Sequence, residues 1–183
     1  MSRKKITRED CVLVAIDYQT KLVPAMFGKE ALIDRSVRLI KGFDILGMPV
    51  LITEQYPKGL GQTIPEIREA NSQAEILEKN TFSAWDDADF VVRMRQMNKS
   101  TAVVIGIEAH VCEQQTVLDL LAEGYTVYVA ADCVSSRTAF DRDTAIERMR
   151  NAGAVITSYE AILFDVLGWS KAEEFKQISA LVK

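Results

Sequence analysis

The 183-residue chain has one histidine and three cysteines, and both scarcities exclude a good deal. A lone imidazole makes zinc or iron catalysis a poor reading, because such sites usually draw several nitrogen or thiolate ligands. Cys11, Cys112 and Cys133 are odd in number and widely spaced, so they form neither a disulfide framework nor a zinc cluster. Basic charge is short as well: 22 Lys and Arg stand against 26 Asp and Glu, a net charge of −4. Nucleic-acid binding needs a concentrated basic face, and this balance argues against it. The one basic cluster, Arg3-Lys4-Lys5, reads as a solvated tail. No apolar run reaches the roughly 20 residues of a membrane span. The charged start runs into Thr7, Arg8, Glu9 and Asp10 instead of an apolar core, so it does not read as a signal peptide. A reducing cytoplasm is expected, with no metal and no cofactor. Each cysteine is then either core filler or chemistry.

What is present is an ordinary globular composition, 48% hydrophobic and 26% charged. The length suffices for one domain over residues 1–183 with a full core. Apolar runs alternate with amphipathic segments. Strands are expected at 12–16, 49–53, 75–79, 101–105, 125–130 and 154–157, and helices at about 29–46, 86–97, 111–123, 138–152, 159–167 and 171–181. Val12-Leu13-Val14-Ala15-Ile16 is apolar throughout, as a strand buried on both faces requires. The fold class is therefore α/β: a three-layer α-β-α sandwich around a six-stranded, mostly parallel, Rossmann-like sheet. In such sheets ligands sit beyond the carboxyl ends of the strands, near the switch in strand order.

Three reactive residues occupy such ends. Asp17 follows the first strand, Lys79 ends the third, and Cys112 opens the helix after the fourth. A thiol in the first turn of a helix is expected to gain from the helix dipole and the unpaired N–H groups, which stabilise a thiolate. An aspartate can take its proton, and a lysine can balance the buried charge. Each also has a plain alternative: buried filler for the cysteine, a loop cap for Asp17, a surface lysine for Lys79. Cys11 and Cys133 are expected as filler. His110, two residues before Cys112, would not face it on a helix and is expected to line or cap the loop. Phe82 and Trp85 are expected to wall the pocket, with Tyr18, Tyr56, Gln19 and His110 as further contacts.

These residues fall into an ordered set: Ile16-Asp17-Tyr18-Gln19, Thr53 to Gly61 (TEQYPKGLG), Lys79 to Ala84 (KNTFSA), Gly106 to Cys112 (GIEAHVC) and Asp132 to Arg137 (DCVSSR). The set resembles the isochorismatase-like cysteine hydrolases, which include nicotinamidases and N-carbamoyl amidohydrolases, and it spans almost the whole chain. It is most similar to the isochorismatase-domain-containing branch. The resemblance implies a triad of Asp17 as base, Lys79 as orienting cation and Cys112 as nucleophile. It also implies a non-proline cis peptide at Ile107-Glu108, with the Glu108 and Cys112 amides forming an oxyanion hole. A homo-oligomer is implied too, with the Cys133–Arg137 loop as a contact.

Nicotinamidases hold a metal through an aspartate and histidines that this chain lacks, which lowers nicotinamide as a substrate. True isochorismatases cleave a vinyl ether without a cysteine nucleophile. With Cys112 present, the expected reaction is hydrolysis of a small amide, ureido or related carbon–nitrogen bond through a thioester. The alternatives are vinyl-ether hydrolysis, a catalytically silent oligomeric binding protein, and a thiol redox sensor. Glu113 departs from the family's aliphatic residue and is expected to face outward or toward a subunit contact.

Overall fold

The computed structural model describes residues 5–183, so Arg3 and Lys4 of the basic cluster lie outside the described residues. Six strands form one sheet: β1 (Cys11–Ile16), β2 (Val50–Gln55), β3 (Glu75–Lys79), β4 (Thr101–Gly106), β5 (Thr126–Val134) and β6 (Val155–Thr157). Their order is β3-β2-β1-β4-β5-β6 and every pairing is parallel. The connections are α1 (Lys29–Ile45), the one-turn α2 (Pro57–Leu60) and α3 (Pro65–Arg68), α4 (Ala88–Met97), α5 (Gln114–Ala122), α6 (Ala139–Ala152), α7 (Tyr159–Leu167) and α8 (Phe175–Leu181).

The central strands β1 and β4 are buried along their whole length, so their apolar runs need no alternation. Successive side chains still point to opposite faces. Leu13, Ala15, Ile52, Val103 and Ile105 meet Leu39, Ile40 and Phe43 of α1 and Leu163 of α7. Val12, Val14, Ile16, Val104 and Val129 meet Phe90 and Met94 of α4, Val117 and Leu120 of α5 and Met149 of α6. These are the two outer layers of the sandwich. Among the described residues no helix is long and apolar enough to cross a membrane.

Two local departures from expectation bear on the site. The fifth strand runs to Val134, beyond the expected end at Ala130, because the register shifts between Val104 and Gly106 and pairs Gly106 with Val134. The polar Asp132 hid that extension; its carboxylate accepts from the Tyr159 N–H at 2.9 Å. Cys112 also sits not in an α-helical turn but in a π-helical one, Ala109–Glu113, before α5 begins. Gly106 lies just ahead of this turn at φ 148°, and a Cβ there would fall 2.5 Å from the Ile16 carbonyl oxygen. Only glycine lets β4 leave the sheet so close to β1.

Candidate active site

The strand order β3-β2-β1-β4 brings four carboxyl ends side by side, and each delivers a polar group. The chain leaves β1 at Asp17 in the left-handed region, φ 55°, which aspartate enters more readily than most residues. The Asp17 N–H donates to the Thr53 carbonyl at 3.1 Å. Its side chain is fully buried. Oδ1 accepts from the Thr53 hydroxyl at 2.7 Å, and Oδ2 accepts from Lys79 Nζ at 2.8 Å.

Lys79 is buried too, so the pair is shielded from solvent. A buried ion pair repays its desolvation only when the remaining donors and acceptors are satisfied. Here Nζ also donates to Gln55 Oε1 at 2.8 Å and to the carbonyls of Thr81 and Phe82, both at 3.2 Å. Gln55 is in turn anchored through its Nε2 to the Asn80 carbonyl at 3.1 Å. Thr53 and Gln55 carry no role in the sequence reading. A signal was available: three polar residues, Thr53, Glu54 and Gln55, end an otherwise apolar strand, the first and last in register with Ile16 and Lys79.

Cys112 is 7% exposed, and Asp17 and Lys79 are the charged groups that act on its thiol. Burial, then the Asp17 carboxylate, pushes the thiol up to about 12, with the Lys79 ammonium opposing. The gain expected from the helix start is therefore outweighed. Withdrawal from water and a neighbouring anion outweigh the helix start and the cation. Burial likewise raises the Asp17 carboxyl above the ordinary carboxylate range, opposed by Lys79, Thr53 and the thiol. A carboxylate raised in this way is a stronger base, and it sits against the proton that an attacking sulfur must lose.

The turn around Cys112 is held from outside. The Ile107–Glu108 peptide is cis, and the Ala109 N–H donates to the Ser135 carbonyl at 2.8 Å. Glu108 Oε1 accepts from Arg137 Nε at 2.8 Å. His110 Nδ1 lies 2.9 Å from Ser136 Oγ, and its Nε2 lies 3.5 Å from Arg137. The histidine thus braces the loop through Ser136 and Arg137.

Three expected pocket contacts fall elsewhere. Tyr18 is fully buried; its hydroxyl donates to the Cys133 carbonyl at 2.6 Å and meets Ser36 Oγ at 2.7 Å. Gln19 spends its amide on backbone, donating to the Gln55 and Gly61 carbonyls and accepting from the Gln55 N–H. Trp85 packs edge-on against Tyr125 and Phe90 and lines a hollow with Ser100 and Tyr125, at the opposite end of the strands. Tyr18 and Gln19 part company just after β1, where Asp17 is left-handed, while Trp85 lies in a separate turn, Ala84–Asp86, well past β3. Phe82 and Tyr56 do stay open to solvent, at 57% and 53% exposure, and Tyr56 shares a hollow of about 160 Å³ with Lys79. Cys11 and Cys133 are buried core, as expected. Glu113 faces neither outward nor a partner; it is fully buried, and neither carboxyl oxygen has a hydrogen-bond partner.

The chain's kinship can now be read with the site in view. Residues 11–161 match the model of the isochorismatase domain. The chain belongs to the isochorismatase family. Among family members, the isochorismatase domain-containing protein 1 of Salmo salar is 37% identical over 94% of this chain. The chain spans 60% of that relative's length. Isochorismatase family protein 1B of Dictyostelium discoideum is 35% identical, over 98% of this chain and 89% of its own length. Among solved structures, the MAR1 ribonuclease of Caenorhabditis elegans superposes with a TM-score of 0.92 at 36% identity, covering 98% of this chain and 92% of that one. The isochorismatase-family domain is a hydrolase domain, and the six-stranded parallel sheet is its fold.

Proposed function

We propose that this isochorismatase-family hydrolase cleaves a small amide, ureido or related carbon–nitrogen bond through a thioester on Cys112. One observation carries the reading: a buried carboxylate, fixed by an ammonium and a hydroxyl, stands as the charged neighbour of the buried Cys112 thiol. Proton transfer from Cys112 to Asp17 accompanies attack, so that Sγ bonds to the carbonyl carbon as the Asp17 carboxyl becomes neutral. The Glu108 and Cys112 amides receive the developing oxyanion. Asp17 then gives the proton to the departing nitrogen, and the carbon–nitrogen bond breaks. Water adds to the thioester with Asp17 again as base, releasing the acid and restoring the thiol. Lys79 keeps Asp17 oriented and offsets its charge while it is ionised. Phe82 and Tyr56 flank the substrate.

The reading extends to a homo-oligomer. Exposed Phe140 and Phe27 beside the Cys133–Arg137 segment support a contact there, and elution of a 20.5 kDa monomer in size-exclusion chromatography would contradict it.

The test is a panel of small primary amides, ureido acids and a vinyl ether, with single-stranded RNA included because of the name of the nematode neighbour. Turnover of an amide or ureido compound is expected, falling about 10³-fold or more in Cys112→Ala, the scale on which nucleophile removal acts. Turnover confined to RNA or the vinyl ether, or unchanged in Cys112→Ala, would overturn the reading.

A further inference from the structure

The Lys79 ammonium has three N–H bonds and four acceptors around it. Two of those acceptors, the Thr81 and Phe82 carbonyls, belong to the turn that follows β3, so the ammonium can be no better placed than that turn. The turn is held in two ways. Internally, the Thr81 hydroxyl donates to the Ser83 carbonyl at 2.7 Å. Externally it is gripped by α5. Ser83 Oγ donates to Asp119 Oδ2 at 2.5 Å and accepts from the Trp85 N–H at 3.2 Å. The Ala84 N–H donates to Thr116 Oγ1 at 2.9 Å, and that hydroxyl donates onward to the Cys112 carbonyl at 2.8 Å. Cys112, Thr116 and Asp119 are spaced by four and then three residues, which lines them along one stripe. The helical segment that carries the nucleophile therefore also holds the turn that cradles the lysine. Ser83, Ala84 and Thr116 are all buried, so water does not compete for these bonds.

We propose that Asp119 and Thr116 are positioning residues that fix the Lys79 ammonium relative to the Cys112 thiol. The proposal rests on the reading of Cys112, Asp17 and Lys79 as one reacting unit. Asp119 acts through Ser83, and Thr116 through the Ala84 amide; neither touches substrate. Loosening either grip lets the Thr81 and Phe82 carbonyls drift. The ammonium drifts with them, and the thiol loses the cation that opposes its protonation. A displacement near 1 Å at a reacting centre costs about 10²-fold in rate.

The test uses iodoacetamide as the probe on the full chain, with Cys112 labelling followed by peptide mass mapping across pH, alongside each variant's thermal midpoint. In Asp119→Ala, labelling of Cys112 at a fixed neutral pH is expected to fall about tenfold. Its pH profile should move to higher pH by about one, the displacement that matches a tenfold loss of thiolate. Asp119→Asn should fall less. Ser83→Ala should match Asp119→Ala, and the double variant should be no worse than either single one, because the two share one bond. With any turned-over amide, kcat should fall in step while KM holds. A lowered midpoint with the parent labelling profile in all variants would mean plain packing and would overturn the proposal. The outcome is separable from the nucleophile reading. If Cys112→Ala keeps turnover, that reading fails, while the labelling profiles still report whether α5 sets the cation against the thiol.

Discussion

Two carboxyl groups are buried at the carboxyl edge of the sheet, and the protein treats them in opposite ways. Asp17 is fully enclosed and accepts from a hydroxyl and an ammonium. Glu113, adjacent in sequence to Cys112, is equally enclosed and has no hydrogen-bond partner on either oxygen among the described residues. Burial raises both above the ordinary carboxylate range. Around Asp17 that rise is opposed by partners, whereas around Glu113 burial stands as the sole cause. The first arrangement tunes a base. The second stores a neutral acid, at the cost of an unsatisfied polar group, about 1–3 kcal/mol. The two also face different layers: Cys112 lies in the core layer with α4, α5 and α6, and Tyr18 and Cys133, the groups Glu113 affects, lie in the other.

Removing the charge of Asp17 should have the largest effect. Asp17→Asn can accept from Lys79 through its one amide oxygen and donate its N–H to the Thr53 hydroxyl, so the fold should persist while kcat falls about 10²–10⁴-fold, the range of a lost general base. Steady-state kinetics with a thermal midpoint checks this. Lys79→Met comes next. It leaves Asp17 buried beside a hydroxyl alone, and a broken buried pair of this kind destabilises by about 3–5 kcal/mol, read by urea unfolding.

Glu113→Gln should be smaller and opposite in sign. Above the unfolded carboxylate value, about 4.3, the unfolded chain releases the Glu113 proton while the folded chain retains it. The unfolded state then binds fewer protons, so stability falls as pH rises, by up to about 1.4 kcal/mol per pH unit from this group. The stability is complete below that value and is lost as pH climbs toward the raised folded value. Glu113→Gln should remove this part of the slope and leave turnover near the parent's. A loss of turnover matching Asp17→Asn would break the comparison.

The contrast also explains what could be read from the residues. The runs in β1 and β4 were legible because strands buried on both faces leave no choice of residue. Asp17, Lys79 and Cys112 stood out because each is a reactive residue at the end of such a run, and the strand order makes those ends neighbours. The partners that make Asp17 usable, Thr53 and Gln55, escaped notice because their role depends on strand register, which a single strand does not reveal. Tyr18, Gln19 and Trp85 were misjudged for a related reason. Beyond a strand end, one change of φ sends a side chain into the core or around the turn. Glu113 followed from no pattern, since a polar residue in a first turn ordinarily faces water. The π-helical turn is what rotates it inward.

The most direct test of the account is the covalent intermediate itself. The full chain is quenched in acid during turnover of an amide from the panel, and its intact mass is measured. The account predicts a gain equal to the substrate less its leaving amine, mapped to Cys112, released by hydroxylamine and absent in Cys112→Ala. Turnover with no adduct, or with the adduct on another residue, would contradict it.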